Sequence, residues 1–272
     1  MEGETHTPDQ AKGKVATSIY LFCLARCDSL PPIEGLGLDG TGLPFQATFR
    51  DVVAVLSEVN AEEWIGTSGE RNLHDLHWVG PRACRHEEII EQVMHFSPVF
   101  PARFGTLFSS LQTLESLLAA HYDTIADFLA YIGDKDEWGV KLLLDKAKAQ
   151  EHLFATKQRP LPAAPGARYL LEQRFRAEAG REAKSWARKV GSNVAQALRA
   201  QAVDFRPLKV VAHKDQEQEV LFNRAFLLSK DAIEPFLGHL RTLNAEYAER
   251  GVSLKASGPW PPYNFCPILS KG

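Results

Sequence analysis

Four side chains of metal-binding type lie close together in the first third of the sequence: His74, His77, Cys84 and His86. Imidazole and thiolate groups are common zinc ligands, but the spacing H-x2-H-x6-C-x-H matches none of the usual structural zinc patterns. A metal hydrolase would also need a positioned general base, for which the sequence offers no clear candidate. We therefore interpret these residues as separate loop and helix residues and expect no metal ion. A metal enzyme is kept as the third hypothesis for the chain.

A glycine-rich segment, Gly35–Gly40, has the literal pattern G-x-G-x-x-G of a dinucleotide-binding loop. That pattern binds pyrophosphate only between a strand and the N-terminus of a helix, where backbone N–H groups point at the ligand. Here Pro31 and Pro32 precede the glycines, and Gly42 and Pro44 follow them, so that no helix can begin there. We interpret the glycines as turn residues and expect no nucleotide cofactor.

Cys23 and Cys27 are the remaining candidates for paired or reactive side chains. Four residues of a strand span roughly 13 Å, which is too far for a disulfide, so both are interpreted as small buried apolar residues. The sequence also contains no G-x-S-x-G elbow, no Walker loop and no H-E-x-x-H. We expect no catalytic residue and no cofactor, although a triad of distant residues would leave no local pattern.

Composition places the chain among soluble globular proteins, since 44% of its 272 residues are hydrophobic and 24% are charged. The longest apolar run, Ile19–Ala25, is too short to span a bilayer. The four cysteines form no dense framework, and the acidic N-terminus lacks the pattern of a signal peptide. These features favour a cytosolic location.

The formal charge is distributed unevenly along the chain. Residues 1–155 contain 12 basic and 23 acidic residues, a net charge of −11, whereas residues 156–272 contain 19 and 11, a net charge of +8. The two halves should attract each other, or each should attract a partner of opposite charge. This asymmetry supports a chain of two parts but does not identify a partner.

Hydrophobic periodicity predicts the following elements of the first half: a strand over 18–25, a hairpin over 45–59, helices over 86–96 and 111–132, and a strand over 137–145. This order predicts an α+β layering that is close to a ferredoxin-like arrangement. A proline-containing segment, 155–166, is the best candidate for a linker. The predicted organisation is a flexible tail over 1–17, an N-terminal domain over 18–155 and a smaller C-terminal α+β domain over 156–272.

In the second half, the periodicity predicts a long helix over 168–201, strands over 205–212, 220–229 and 252–255, and a helix that begins at a capping box over 231–234. The long helix carries Arg174, Arg181 and Arg188 opposite its apolar face. Such a basic stripe is typical of a solvated face or of a surface that binds an acidic protein, a nucleic acid or an anionic lipid. The overall pI of 6.3 argues against nucleic acid.

Four motifs together point to a family: Phe100-Pro-Ala-Arg-Phe-Gly-Thr106, Glu137-Trp-Gly-Val-Lys141, Pro165-Gly-Ala-Arg-Tyr-Leu170 and Gly258-Pro-Trp-Pro-Pro-Tyr-Asn-Phe265. With the strand Ile19-Tyr-Leu-Phe22 and His86 at a predicted helix start, the chain resembles the gas vesicle protein F/L family from about Ser18 to Phe265. It departs from the family pattern at Asn264, where a serine is the commoner residue, and in the long loop over 31–44.

The resemblance implies an accessory protein that assists the assembly or nucleation of gas vesicles, which are buoyancy organelles of the prokaryotic cytoplasm. The expected partners are the major shell protein and other accessory proteins, with no nucleic acid, no membrane and no enzyme activity. The resemblance also implies a modified ferredoxin-like N-terminal domain and a second α+β domain. A protein that binds nucleic acid or a membrane surface through the basic helix is the alternative.

The motifs supply the other candidate partner-binding residues. The guanidinium of Arg103 has the geometry to bind loop carbonyls or a carboxylate, and Gly139 is expected at a bulge or a close backbone approach. Trp138 is expected in the core more than on a contact surface. The prolines of Gly258–Phe265 predict an extended segment that projects Trp260 and Tyr263, either locking the domains together or forming a partner groove.

Overall fold

The computed structural model describes residues 16–26, 30–156, 163–210 and 218–269. The chain divides into two compact units: unit 1 extends to Leu129 and includes the C-terminal residues from Ile268, and unit 2 runs from Ala130 to Pro267. The predicted tail lies outside the described residues up to position 15, as do Cys27 and much of the predicted linker.

Unit 1 is built on an antiparallel sheet with helices. Its elements are β1 (Thr17–Ala25), β2 (Phe45–Phe49), β3 (Val52–Asn60), α1 (Gly66–His74), α2 (Leu76–Met94), β4 (Val99–Pro101), β5 (Leu107–Phe108) and α3 (Leu111–Ile132), whose last turn belongs to unit 2. The strand order is β2-β3-β1-β4, and β5 also pairs with β1. The central strands β1 and β3 are almost wholly buried, as their continuous apolar sequences predict.

Unit 2 contains a second antiparallel sheet. Its elements are β6 (Lys135–Asp145), α4 (Lys146–Thr156), α5 (Pro165–Arg199), β7 (Asp204–Pro207), β8 (Gln218–Ser229), α6 (Ile233–Tyr247) and β9 (Val252–Trp260). The strand order is β7-β8-β6-β9. The core is formed by apolar side chains of β6, β8 and β9 together with those of α5 and α6. The protein therefore has a mixed, α+β type of fold.

Small residues on α5 bring this helix close to the sheet of unit 2. Ala183 and Ala187 are buried, and a Cβ added at Gly191 would lie 3.8 Å from the side chains of Leu142 and Phe222. Since the buried face of α5 is fixed in this way, the arginines predicted on the opposite face point away from the core.

The structure differs from the predicted domain boundary between 155 and 156. The compact units divide between Leu129 and Ala130, because β6 pairs along its length with β8 and with β9. These partners follow β6 by about 75 or more residues, so the pairing leaves no local signal in the sequence. The strand that was assigned to the N-terminal domain is therefore a central strand of unit 2.

Three local predictions also differ from the structure. Helix α2 begins at Leu76, so His86 lies within it and not at its start, and Pro81 is accommodated inside the helix. Helix α4 follows β6 directly where no helix was predicted. The capping box does not form, because a 3-10 turn over Lys230–Ala232 precedes α6 and its N-cap has no side-chain hydrogen bond.

Candidate partner-binding site

Two of the sequence motifs meet at one end of the unit 2 sheet. Glu137–Lys141 lies in β6, and the motif that starts at Gly258 forms the end of β9 and the turn after it. Glu137 lies opposite Trp260 in the antiparallel register, with an irregularity between Glu137 and Gly139. We call this meeting point of the two motifs the β6–β9 junction.

A buried carboxylate holds the β6–β9 junction together. Glu137 is 3% exposed, and its Oε2 accepts a hydrogen bond from the backbone N–H of Asn264 at 3.0 Å. Its Oε1 accepts from the side-chain amide of Asn264 at 2.5 Å. Because both carboxyl oxygens accept hydrogen bonds, the cost of burying this polar side chain is offset. Asn264 thus has a structural role in the turn after β9.

Two glycines allow the strands to approach closely at the junction. A Cβ at Gly258 would lie 3.0 Å from the carbonyl oxygen of Glu137 and 3.0 Å from the Trp138 ring, and the φ of Gly258 is 143°. A Cβ at Gly139 would lie 3.0 Å from Oγ of Ser257. The irregularity at Gly139 and this approach confirm what was expected of that glycine.

The aromatic residues of the junction lie in different environments. Trp138 packs against the core of unit 2, and its indole N–H is buried with no acceptor among the described residues. Trp260 is 39% exposed and donates from its Nε1 to Oγ of Ser257 at 3.1 Å. Tyr263 is half-buried, in a turn where Phe265 N–H donates to the Pro262 carbonyl. The expected extended segment therefore ends at Trp260 and turns over 263–265.

Arg103 lies in the loop between β4 and β5 of unit 1, and its side chain is exposed. Its own carbonyl accepts hydrogen bonds from the backbone N–H and the hydroxyl of Thr106, at 3.1 and 2.6 Å. These bonds close a tight turn within the motif Phe100–Thr106. The guanidinium of Arg103 is therefore carried on a fixed loop.

A buried hydrogen-bond chain anchors that loop to the sheet. His86 is 3% exposed, and its Nε2 lies 3.2 Å from the carbonyl of Ala102, which can only accept, so Nε2 carries the proton. Its Nδ1 then accepts from the Tyr20 hydroxyl at 2.9 Å, and that hydroxyl accepts from the Gly105 N–H at 3.2 Å. The chain of bonds fixes both ends of the loop that carries Arg103.

Burial governs the protonation of this chain. It lowers the pKa of His86 to about 4, although the hydrogen bond to the Ala102 carbonyl acts in the opposite direction. Burial also raises the pKa of Tyr20 well above its usual range, partly offset by the hydrogen bond from Gly105. Both side chains are therefore neutral at pH 7, as required for a hydrogen-bond chain among the rings of Phe22, Trp64 and Phe104.

Six of the eight basic residues of α5 fall into two groups. Arg168, Arg176 and Lys184 form ion pairs with Glu172, Glu151 and Glu219 at 3.0, 3.0 and 2.7 Å. In contrast, Arg174, Arg181 and Arg188 are exposed, and no ion pair or hydrogen bond joins their side chains to another described residue. We call these three the arginine row. At 1.5 Å per residue, the row extends over roughly 21 Å of the helix.

The candidate site residues belong to three different structural elements. The arginine row lies on the outer face of α5, while Trp138, Trp260 and Tyr263 belong to the β6–β9 junction of the same unit. Arg103 belongs to unit 1.

The residues that were considered for other chemistry are also separated. His74, His77 and Cys84 are exposed on α1 and α2, whereas His86 is buried in the hydrogen-bond chain. Within the described parts of the chain, no three His, Cys, Asp or Glu side chains are grouped so that they could hold a metal ion. The glycines of 35–40 form turns, with Gly35 and Gly40 at positive φ, and are followed by β2.

Sequence reasoning missed one feature, a cavity of about 570 Å³ in unit 1 that is lined by β3, by the loop before β2 and by Arg82 of α2. The cavity arises because β3 extends beyond β2, a difference that depends on the strand register and leaves no local signal in the sequence.

Across the part of the chain that the structure describes, no helix is long and apolar enough to cross a membrane.

Fold and site together define a two-unit α+β protein whose motifs form a hydrogen-bonded junction and whose basic side chains lie on an exposed helix. The chain belongs to the gas vesicle synthesis protein GvpL/GvpF family, whose model matches residues 18–267. This confirms the resemblance seen in the motifs and makes the chain a gas vesicle-associated protein.

Relatives of the chain carry gas vesicle names. It is 24% identical to gas vesicle protein L of Streptomyces sp. (strain CB03234), over 93% of this chain and 94% of that protein. It is 27% identical to gas vesicle protein L1 of Halobacterium salinarum, over 98% and 97%. Both matches span nearly the whole of each protein.

Two solved structures share the fold. The crystal structure of GvpF from Anabaena sp. PCC7120 matches with a TM-score of 0.68 at 18% identity, covering 94% of this chain and 98% of that one. The structure of GvpF from Microcystis aeruginosa matches with a TM-score of 0.63 at 15% identity, covering 92% and 99%. The similarity therefore extends through both units.

Proposed function

We propose that the chain assists the assembly or nucleation of gas vesicles by binding the major shell protein. The observation that carries the proposal is the match of residues 18–267 to a family of gas vesicle synthesis proteins. Family membership implies association with other gas vesicle proteins, and the proposal specifies the shell protein as the partner. An apolar, self-associating shell protein would need a factor that shields or templates it until it enters the wall.

The arginine row is the surface that we assign to this contact. Its three guanidinium groups are exposed and have no acidic partner among the described residues. Arginine is the side chain of choice for pairing with carboxylates at interfaces. An acidic surface on the partner could thus form ion pairs with the three guanidinium groups along one helix face. Trp260, exposed at the β6–β9 junction, supplies an aromatic side chain for a second contact.

Reversal of the arginine row should weaken binding to the shell protein. In a pull-down with the purified major shell protein, we expect the triple variant Arg174→Glu, Arg181→Glu, Arg188→Glu to retain at least tenfold less shell protein than the unaltered chain. The reason is that the variant replaces attraction by repulsion across the interface. Raising the salt concentration should weaken the unaltered complex as well, because exposed charges are screened.

A matched control changes the same amount of charge elsewhere. The variant Arg71→Glu, Lys209→Glu, Arg241→Glu alters three exposed basic residues outside α5 and should retain the shell protein normally. If both variants behave alike, net charge and not the arginine row governs binding. If the folded, unaltered chain retains no more shell protein than a control protein whose surface residues have been scrambled, the proposed partner is wrong.

The arginine row is also the feature that a binder of nucleic acid or membranes would use. Binding to duplex DNA or to anionic vesicles would fall steeply with salt as counterions are released, and would be abolished by the same triple variant. We expect no saturable binding to either probe at physiological salt. Strong, salt-dependent binding to DNA with no binding to the shell protein would favour the alternative.

We interpret unit 1 as a modified ferredoxin-like domain, which the strand order β2-β3-β1-β4 supports, although the described residues between β1 and β2 form a loop in place of a helix.

We also propose that the chain acts through its surfaces without catalysis, which the family description as a synthesis protein of an organelle supports.

A further inference from the structure

The cavity of unit 1 lies along an incompletely paired edge of its sheet. The pairing of β2 with β3 ends where Phe45 lies opposite Leu56, while β3 continues to Asn60. The residues Ser57–Asn60 pair with β1 on their other side and have no strand partner on the β2 side among the described residues. The cavity, of about 570 Å³, is lined by all four of them.

The lining shows that the cavity wraps around the strand edge and is not confined to one face. Successive strand residues point to opposite faces, so Ser57 and Val59 belong to one face and Glu58 and Asn60 to the other. A cavity lined by four consecutive residues therefore includes the edge between the faces, where the backbone N–H and C=O groups lie. We call this cavity the β3 edge groove.

The walls of the β3 edge groove combine apolar and acidic groups. Leu43, which is 71% exposed, and Phe45 supply apolar surface beside the unpaired edge of β3. Asp39, Glu58 and Glu63 supply three carboxylates against the single guanidinium of Arg82. The groove is therefore net negative.

Arg82 is engaged by two of the three carboxylates and partly neutralises them. Its side chain is 18% exposed and pairs with Asp39 at 3.0 Å and with Glu63 at 3.2 Å, and it also donates to the Trp78 carbonyl at 3.2 Å. Glu58, in contrast, is exposed and pairs with no described residue. The carboxylate of Glu58 is the group that remains for a cationic ligand.

We propose that the β3 edge groove binds an extended peptide segment of a partner protein, which adds to the sheet beside Ser57–Asn60 and places a lysine or arginine against Glu58. Main-chain hydrogen bonds to the open edge supply sequence-independent affinity, and alternate side chains of the segment meet Leu43 and Glu58. The cavity volume lies within the range of ordinary ligand sites. The occupant is thus basic and extended, whereas the partner of the arginine row is acidic, so the two surfaces are independent.

The test uses fluorescent hexapeptides of alternating threonine and lysine, titrated with the full-length chain and followed by fluorescence anisotropy. We expect saturable binding of this peptide. An analogue with N-methylated backbone amides, which keeps its charge but cannot donate hydrogen bonds to the strand edge, should bind at least tenfold more weakly. An analogue with glutamate in place of lysine should also bind at least tenfold more weakly.

Variants of the protein locate the binding. Glu58→Lys should weaken binding of the lysine peptide by tenfold or more, while Glu115→Lys, an equal change on the exposed face of α3, should leave it unchanged. Hydrogen exchange should show peptide-dependent protection of residues 57–60. The proposal is overturned if no saturable binding occurs up to millimolar peptide, if the N-methylated analogue binds equally well, or if the two variants behave alike. None of these outcomes depends on the shell protein.

Discussion

Replacing Glu137 by alanine should lower the free energy of unfolding of unit 2 by about 2 kcal/mol, because the change removes two hydrogen bonds that contribute roughly 0.5–1.5 kcal/mol each. The carboxylate accepts from both the backbone N–H and the side-chain amide of Asn264. Its loss frees the turn after β9, so that Trp260 and Tyr263 lose their fixed positions. Chemical denaturation together with hydrogen exchange resolved by peptide measures the effect in each unit.

The matched control is Asn264→Ser, which shortens the side chain but keeps a hydrogen-bond donor. The backbone N–H of residue 264 still donates to Glu137, and a serine hydroxyl can replace the amide donor, so we expect a loss below about 1 kcal/mol. Faster exchange in Glu137→Ala should be concentrated in the end of β9 and the residues after it. A destabilisation of Glu137→Ala no larger than that of Asn264→Ser would contradict the structural role of the carboxylate.

Helices and strands with strong periodicity could be predicted from the sequence because their own side chains determine them. Helix α3 has the predicted bounds, 111–132, with a kink at His121, since most of its apolar residues form one stripe that becomes its buried face. Strand β1 is likewise an apolar run that can only be buried. The start of α2 could not be predicted in this way. Gly80 and Pro81 would favour an interruption in an isolated helix, and tertiary contacts stabilise the helix from Leu76 onward in spite of them.

The candidate site could be predicted only where it follows local periodicity. The arginine row is exposed as the helical wheel indicates, but the sequence cannot show that Arg176 and Lys184 are neutralised by Glu151 and Glu219, which lie 25 or more residues away. The motifs of the β6–β9 junction could be read separately, yet only the register of two strands more than 100 residues apart brings them together. The β3 edge groove likewise depends on strand register, since it arises where β3 extends beyond the end of β2.

The structure separates the groups that hold the motifs in place from the groups that remain free. Glu137 and His86 are buried and act on segments distant in the chain, by fixing the turn at Asn264 and the loop that carries Arg103. The arginine row and Glu58 are exposed and pair with no residue in the described part of the chain. Variants of the buried pair should therefore act through stability, and variants of the exposed group through binding at unchanged stability.

The stability of unit 1 should fall by about 3 kcal/mol between pH 6.5 and pH 4 through His86 alone, since one pKa unit corresponds to about 1.4 kcal/mol. Burial lowers the pKa of His86 to about 4 in the folded protein, from 6.5 when it is exposed. In this window the unfolded chain binds the proton and the folded chain does not. The contribution is complete above pH 6.5 and is lost as the pH falls through the folded pKa.

The groups that face His86 explain why protonation is unfavourable. They are the hydroxyl of Tyr20, the carbonyl of Ala102 and the rings of Phe22 and Phe104, none of which carries a compensating negative charge. Protonation would give Nδ1 a hydrogen where it now accepts one from Tyr20. The imidazolium would therefore lose a hydrogen bond in addition to its hydration.

The measurement compares denaturation curves of three proteins from pH 4 to pH 8. His86→Gln should be less stable than the unaltered chain at pH 7, yet should lose less stability on acidification, because its side chain does not titrate. His77→Gln removes an exposed histidine of the same helix and should follow the unaltered chain at every pH. If His86→Gln and His77→Gln show the same acid dependence, the buried imidazole does not control the acid stability of unit 1, and the hydrogen-bond chain through Tyr20 must tolerate a charged ring.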